Sequence, residues 1–372
     1  MVPDELKYYI ATTLIPGVGS ILAKRLIAYC GSARTVLTAT RGALQKIPGI
    51  GTLLANEIAA QQQQALRQAE QELLFIEKNN IHAYCYADNE YPERLRHCED
   101  SPVVLFVKGD IDLNRAKFLS VVGTRQATPY GQMNCEKIIG QLAERGHNPV
   151  IVSGLAYGID ICAHRAALQN KLDTVAVMAT GFDKMYPYSH MAIARQILDH
   201  GAWVSDFISG TPLDRKNFLK RNRIIAGLSD ATVVVESRAK GGALVTADIA
   251  MSYNRDVFAV PGRIGDSASE GCNALIKQNK AALVETAADV EYVMGWKQKA
   301  NHAQATQKTL FYNLSDEEQQ IVDILRECDP IGMDTLSYQT NIAVGRLSSL
   351  LVQMEFKAII KNLPGKQYTL KK

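Results

Sequence analysis

The chain has 372 residues, a formal net charge of +3, 47% hydrophobic residues and 21% charged residues. That length supports two or three domains with a large core, and the composition excludes a disordered or fibrous chain. So small a net charge also excludes a uniformly basic surface, so phosphate binding would have to come from local clustering of cations.

Seven cysteines, at 30, 85, 98, 135, 162, 272 and 328, are scattered without a CxxC pair. Their odd number argues against a disulfide framework or a zinc site and fits a reducing cytosol. The N-terminus, MVPDELKYYI, has neither a basic nor an apolar leader region. No stretch approaches the roughly 20 apolar residues needed to span a bilayer. The expectation is a cytoplasmic protein with no membrane partner, no metal and no cofactor.

Residues 1–80 read as a helical, helix-hairpin-helix or SAM-like domain. IPGVGSILAKRLI (Ile15 to Ile27) and IPGIGTLLANEIA (Ile47 to Ala59) are near-repeats. In each, glycines permit a tight hairpin and the following helix start offers free amides that can meet a phosphate. Packing of two hairpins into a small helical domain explains the pattern equally well, since Lys24, Arg25 and Arg41 are the nearby cations and the second copy carries Glu57. The Gln-rich segment Gln61 to Glu77 is expected as a solvated helical connector, with Ala65, Ala69, Leu73, Leu74 and Ile76 supplying a helical face.

Residues 81–296 alternate short apolar runs with amphipathic segments. Expected strands are Val103–Val107, Phe118–Val122, Pro149–Ser153, Thr174–Met178, Trp203–Ser205, Ala231–Val235, Val257–Val260 and Ala282–Val284. Helical patterns lie at Gly131–Arg145, Ile159–Gln169, Ser189–Asp199 and Leu244–Tyr253. Near-continuous Val/Ile strands alternating with helices imply an α/β, Rossmann-like, doubly wound and mostly parallel sheet.

Candidate site residues cluster where open α/β sheets bind ligands, at strand ends that lead into helices. After the second expected strand come Gly123, Thr124 and Arg125, offering close backbone approach, a hydroxyl and a bidentate phosphate fork. Ser153 and Gly154 follow the next strand. Asp160 reads as a cap or a partner of His164 or Arg165, and His164 as a packed histidine. Gly181 marks a bend, while Phe182 and Tyr186 suit either stacking or core packing. Arg215 to Arg223 is a cationic run in which Phe218 sits among Lys216, Lys220 and Arg221, as a basic groove with an aromatic platform requires. The pair Gly241-Gly242 then opens a helix after an apolar strand, another place for phosphate. Neither GxGxxG nor GxxxxGK[ST] is present, which weighs against a dinucleotide enzyme or an NTPase. No nucleophile, paired catalytic carboxylate or metal cluster accompanies the basic segment, so no catalytic residue is assigned.

Residues 297–313 are polar and read as a linker. Residues 314–372 begin with a capping box, Ser315 with Glu318, and continue helix, turn, helix, turn, helix and a hairpin around Pro364-Gly365, a winged-helix pattern. Its presumptive recognition helix has only Arg346 as a cation, so protein–protein contact is as good a reading there as DNA contact.

GTRQATPYG, SGLAYGID, FLKRNRIIAGLS, GGALVTA, DVFAVPG and GCNALI occur in the order seen in the DNA-processing protein A (DprA, Smf) family, which this chain resembles over nearly its whole length. The resemblance implies cooperative binding of single-stranded DNA on an extended Rossmann domain, dimerisation, and delivery of incoming strands to the RecA recombinase during natural transformation. It places Gly123, Thr124, Arg125, Ser153 and Gly154 on backbone phosphates, with Lys216, Phe218 and Arg221 in the basic-aromatic segment and Gly241-Gly242 in the glycine turn. Thr124 stands where Ser is common, and Gly242 where many members carry Ser. The expected function is therefore sequence-independent single-stranded DNA binding, duplex more weakly, without catalysis. Two alternatives stay open: a nucleotide phosphoribohydrolase-like enzyme on the same fold, whose glycine loop Gly241-Gly242 resembles but whose carboxylate spacing is not met here, and a protein-interaction scaffold acting through the winged helix.

Overall fold

The computed structural model describes residues 3–296, 314–327, 330–357, 359–363 and 367–370. The expected linker 297–313 and the turn at Pro364-Gly365 lie outside the described residues. The chain divides into two compact units, Met1–Ala300 and Asn301–Lys372.

The first unit opens with helices α1 (Pro3–Leu14), α2 (Ser20–Cys30), α3 (Ala33–Thr38), α4 (Arg41–Leu44) and α5 (Thr52–Lys78). The two IPGxG sequences form the turns before α2 and α5. Gly17 and Gly49 occupy the left-handed region there (φ 79° and 85°), which explains the glycine after each proline. Buried Ile15, Val18, Ile47 and Ile50 hold the turns in the helical core. Gly19 and Gly51 precede α2 and α5 without any side-chain cap.

The Gln-rich segment is no solvated connector. It is the middle of α5, whose Ala65, Ala69 and Ile76 are buried in the same core as α1. Small alanines allow the close approach, and Gln62 Nε2 donates to the carbonyls of Val36 (3.2 Å) and Ala39 (3.1 Å), capping the exit of α3. Further along, Glu72 accepts the Ser209 amide at 2.9 Å, tying α5 to the loops of the sheet domain.

That sheet comprises β1 (His82–Cys85), β2 (Val104–Gly109), β3 (Phe118–Gly123), β4 (Val150–Ser153), β5 (Thr174–Val177), β6 (Gly201–Ser205), β7 (Ala231–Glu236), β8 (Asp256–Ala259) and β9 (Ala282–Leu283). Its nine strands run in the order β1-β2-β6-β5-β4-β3-β7-β8-β9. From β6 to β9 every pairing is parallel, while β1–β2 and β2–β6 are antiparallel. The eight expected strands are all present; β1 is additional, a four-residue edge strand in which Cys85 alone is buried.

Between strands lie α6 (Glu93–Arg96), α7 (Pro129–Glu144), α8 (Ile159–Gln169), α9 (Met191–Asp199), α10 (Arg215–Leu228), α11 (Gly242–Ser252), α12 (Glu270–Lys277) and α13 (Ala287–Met294). Alternation along the strands sends Val122, Val150, Val152, Val175 and Val177 into a core with α10 and α11. Leu119, Val121 and Ile151 enter the opposite core with α7, α8 and α13. Both faces are thus covered, as a parallel sheet requires. The chain winds outward from β3 to β6, then returns to place β7 on the other side of β3. The crevice at the C-terminal ends of β3 and β7 is therefore the topological switch point.

The second unit contains α14 (Asp316–Glu327), β10 (Ile331–Gly332), α15 (Met333–Thr340), α16 (Val344–Phe356), β11 (Ile360–Leu363) and β12 (Gln367–Leu370), a winged helix with a three-stranded antiparallel sheet ordered β10-β12-β11. Ser315 and Glu318 form the expected capping box, with backbone-to-side-chain bonds of 3.0 and 3.3 Å. Arg346 on α16 is bound to Glu317 at 2.8 Å, so the cation of this helix is already paired.

Candidate nucleic-acid interface

The turn after β3 is fixed from three sides. The Thr124 amide donates to the Glu236 carbonyl of β7 (2.8 Å), and the Thr124 carbonyl accepts the Ile159 amide that opens α8 (3.1 Å). Gly158, with φ 79°, lies so close against the Thr124 carbonyl that a Cβ there would overlap it. The buried carboxylate of Glu236 accepts both the amide (2.8 Å) and the hydroxyl (2.6 Å) of Thr128, the N-cap of α7. Backbone position is thereby set before any ligand arrives, the preorganisation that limits the entropy cost of binding.

Arg125 projects from this turn into solvent and lies over the ring of Phe218 on α10, 5.1 Å from its centroid. Phe218 in turn meets Tyr186 edge-on at 5.6 Å. Sequence order hides this neighbourhood, since three separate loops and a helix converge on it. Two further tyrosines of the neighbouring loops are exposed, Tyr157 (50%), next to the Gly158 that packs on the Arg125 backbone, and Tyr188 (76%); Tyr157 Oη and Ser189 Oγ are hydrogen bonded at 3.1 Å. The YPYS run was the available signal for Tyr188, and Tyr157 lies inside the SGLAYGID motif, which does not single it out.

Beneath the aromatics sits Arg221, 4% exposed. Its Nη1 donates to the Val177 carbonyl and its Nε has no hydrogen-bond partner. Across from it is the buried Asp160, in the first turn of α8. Gly154, at the end of β4, lies between the two; a Cβ at this position would overlap both the Arg221 guanidinium and the Asp160 carboxylate. No carboxylate among the described residues forms an ion pair with Arg221. Burial lowers its pKa to about 10, offset by Asp160 and reinforced by Arg125. Burial likewise raises the Asp160 pKa, against the opposing pull of Arg221. Arg221 remains charged at neutral pH, in a place where an unpaired charge costs several kcal/mol. Asp160 is therefore neither a cap nor a partner of His164 or Arg165. His164 is fully buried between the Gly154 carbonyl (Nε2, 2.6 Å) and the Thr174 hydroxyl (Nδ1, 2.7 Å), and burial lowers its pKa to about 4. It is a packed histidine, as its sequence neighbours suggest.

The structure thus gathers Gly123, Thr124, Arg125, Gly154, Phe218 and Arg221 at the ends of β3 and β4. Ser153 lies beneath them: it is fully buried and its hydroxyl donates to the Val121 carbonyl at 2.6 Å, so it braces the strands. Gly241-Gly242 lies across the switch point after β7, joined to the β3 turn through Arg238 Nη2 and Gln126 Oε1 (3.2 Å). The cationic run is a helix, and its 3.6-residue period separates Lys220 from Phe218 and Arg221 onto the opposite side. Lys216 is one turn before Lys220 on that same side, in the exposed first turn of α10. Among the described residues no group of His, Cys, Asp or Glu could hold a metal, and no helix is long and apolar enough to cross a membrane.

Comparison with known proteins supplies a family for this geometry. Residues 82–294 match the family described as DNA recombination-mediator protein A, and residues 303–366 the DprA winged helix domain. Among solved structures, DNA processing protein A from Streptococcus pneumoniae superposes with a TM-score of 0.65 at 32% identity, covering 77% of this chain and 97% of that one. DNA processing protein A from Helicobacter pylori, studied for its single-stranded DNA binding mode, gives 0.52 at 26% identity over 57% of this chain and 95% of its own. Protein Smf from Synechocystis is 29% identical over 99% of both chains.

Proposed function

The chain belongs to the DNA recombination-mediator protein A family, and we propose that it binds single-stranded DNA without regard to sequence and performs no catalysis. The observation that carries this reading is Arg221, a buried guanidinium with an unpartnered Nε and no ion-paired carboxylate, below a rim of Arg125, Phe218 and Tyr186. Asp160 faces Arg221 without forming an ion pair with it; a phosphodiester supplies a directly bonded counter-charge, and the rim offers flat faces to unstacked bases, which a duplex keeps paired inside. The proposed contacts are Gly123, Thr124, Arg125, Gly154, Phe218 and Arg221, with Ser153 supporting them and Lys216, Lys220, Gly241 and Gly242 flanking. Similarity to the Helicobacter pylori protein, described for its single-stranded DNA binding mode, agrees with this choice of ligand. Protection of incoming strands, loading of the RecA recombinase, action as a homodimer and residence in the cytoplasm complete the proposal by extension from the family.

The test is fluorescence anisotropy of labelled single-stranded and duplex oligonucleotides at several salt concentrations. Tighter binding of the single strand, indifferent to sequence and with a log–log salt slope near −0.7 per phosphate contacted, is the expected result. Equal, weak binding of both forms would overturn the proposal and direct attention to nucleotide hydrolysis at the glycine turn.

A further inference from the structure

A second concave site lies on the other side of α10, away from Arg221. It is a cleft of about 370 Å³ lined by Gly19, Ser20, Ile21, Leu22, Arg25, Asp100, Lys220 and Arg223. One wall is the start of α2 in the first hairpin, the other the Lys220–Arg223 face of α10. Arg223 Nη1 donates to Ser20 Oγ (3.2 Å) and so joins the two walls, while Lys24 Nζ anchors α2 to the neighbouring loop by donating to Ser101 Oγ (2.6 Å) and to the Glu99 carbonyl (3.1 Å).

Its charge is placed for an anion. Arg25 and Lys220 are exposed and form no ion pair with any described carboxylate, the Lys220 ammonium resting over the Phe207 ring at 5.4 Å. Arg223 is 7% exposed; it binds Asp206 at 2.5 Å, yet its Nε has no partner. Asp100 is the acidic residue of the lining, and its carboxylate is engaged by the Tyr253 hydroxyl. Three cations therefore meet two carboxylates, around a helix start that Gly19 leaves without a side-chain cap. Ile21 and Leu22 add apolar surface beside the cations, the combination a nucleotide's base and phosphate need.

We propose that this cleft is a second phosphodiester site for the same single strand, reached by a path that passes from Arg125 and Phe218 over the exposed first turn of α10 at Lys216 to Lys220 and Arg25. The inference rests on the reading of the switch-point crevice as a single-strand site. Residues 216 to 223 of α10 span roughly 10 Å, within reach of a few nucleotides. The first hairpin thereby becomes part of the binding surface as well as a packing element, with specificity for the polymer: a strand too short to turn over α10 fills only the crevice.

The experiment uses the full chain, with thermal unfolding to confirm that each variant folds. Anisotropy is read with oligothymidylates of about 6 and about 20 nucleotides, lengths that bracket the footprint of one binding domain, across a salt series. Arg25→Ala is expected to leave the short strand unchanged. On the long strand it lowers affinity about tenfold at low salt and makes the salt slope shallower by about 0.7, one phosphate contact; Arg25→Lys restores both. Arg125→Ala weakens both lengths. If Arg25→Ala leaves long-strand affinity and slope unchanged while Arg125→Ala weakens both, the cleft proposal fails and the crevice reading stands. Equal loss on short and long strands in Arg25→Ala also overturns it, because the residue then acts through the crevice. If the wild-type chain binds neither length, both readings fall together.

Discussion

The guanidinium of Arg125 lies over the ring of Phe218, 5.1 Å from its centroid, although one residue ends a strand turn and the other lies in a helix far along the chain. This pair makes a cation and a flat apolar face available at one point. Phe218→Ala is expected to weaken single-strand binding by about 1–3 kcal/mol, the contribution of one stacked base, with the salt slope unchanged. Arg125→Ala should instead make the slope shallower by about 0.7. Anisotropy titrations across salt separate the two effects, and identical behaviour of both variants would contradict the division of roles.

Gly154 separates two buried charges, so a methyl group there displaces at least one of them. Gly154→Ala is expected to destabilise the protein by about 1–3 kcal/mol through overpacking and to lose single-strand affinity at the same time. Chemical denaturation and anisotropy on one preparation check both. A fully stable variant with normal binding would mean that Arg221 is free to move, against its bond to the Val177 carbonyl.

Replacing both buried charges with neutral groups, as in Arg221→Met with Asp160→Asn, should have the opposite sign for stability. Buried charges exchanged for well-packed hydrophobic side chains of similar volume are often neutral or stabilising, and Asn keeps the shape of Asp at a far lower burial cost than a charge. The expected double variant melts no lower than the parent but binds single strands at least tenfold more weakly. Calorimetry with a binding titration is the measurement, and a large fall in melting temperature is the result that counts against it.

His164 predicts a pH dependence of stability. Its pKa falls from 6.5 to about 4 because burial disfavours the imidazolium. The unfolded chain takes up this proton near pH 6.5 and the folded chain does not until about pH 4. Stability from this group is therefore complete above pH 6.5 and declines as pH falls towards 4, by at most about 1.4 kcal/mol per pH unit. Urea unfolding between pH 7.5 and 4.5 should show the decline, and His164→Gln, which cannot take up the proton, should flatten it even if the variant is less stable overall.

Glu72 joins the helical hairpins to the sheet domain by accepting the Ser209 amide. Glu72→Ala leaves that amide without its partner, which should cost about 1–3 kcal/mol. Amide hydrogen exchange at Ser209 and along α5 locates the effect, and unchanged protection of both would show that the bond is dispensable.

Much of the sheet was legible because its strands are runs of Val, Ile and Ala bounded by turn residues, and parallel strands buried on both faces carry that composition. β1 was not, since HAYC has a single buried residue and gains its place by pairing with β2. Gly123 to Arg125 and Gly154 could be found because they sit where strands lead into helices. The placement of Asp160 opposite Arg221 across Gly154 could not: Asp160 has His164 and Arg165 nearer in sequence, and only the meeting of α8 and α10 sets the true neighbour. Lys216 and Lys220 look equivalent to Phe218 and Arg221 in the linear run, but helical periodicity turns them to opposite sides. In the Gln-rich segment the helical face of Ala65, Ala69 and Ile76 is legible from its spacing, but its burial against the hairpins is not, because that depends on how α1 packs on α5.

The unpaired guanidinium of Arg221 also bears on how long a molecule survives. An occupant that neutralises it favours the folded state over the unfolded one by mass action, to an extent that grows with its concentration relative to its dissociation constant. Unoccupied copies therefore open more often and meet proteases in that state more often. On the proposed reading, turnover of this protein should then follow its occupancy, so that the amount of bound strand sets how much protein persists.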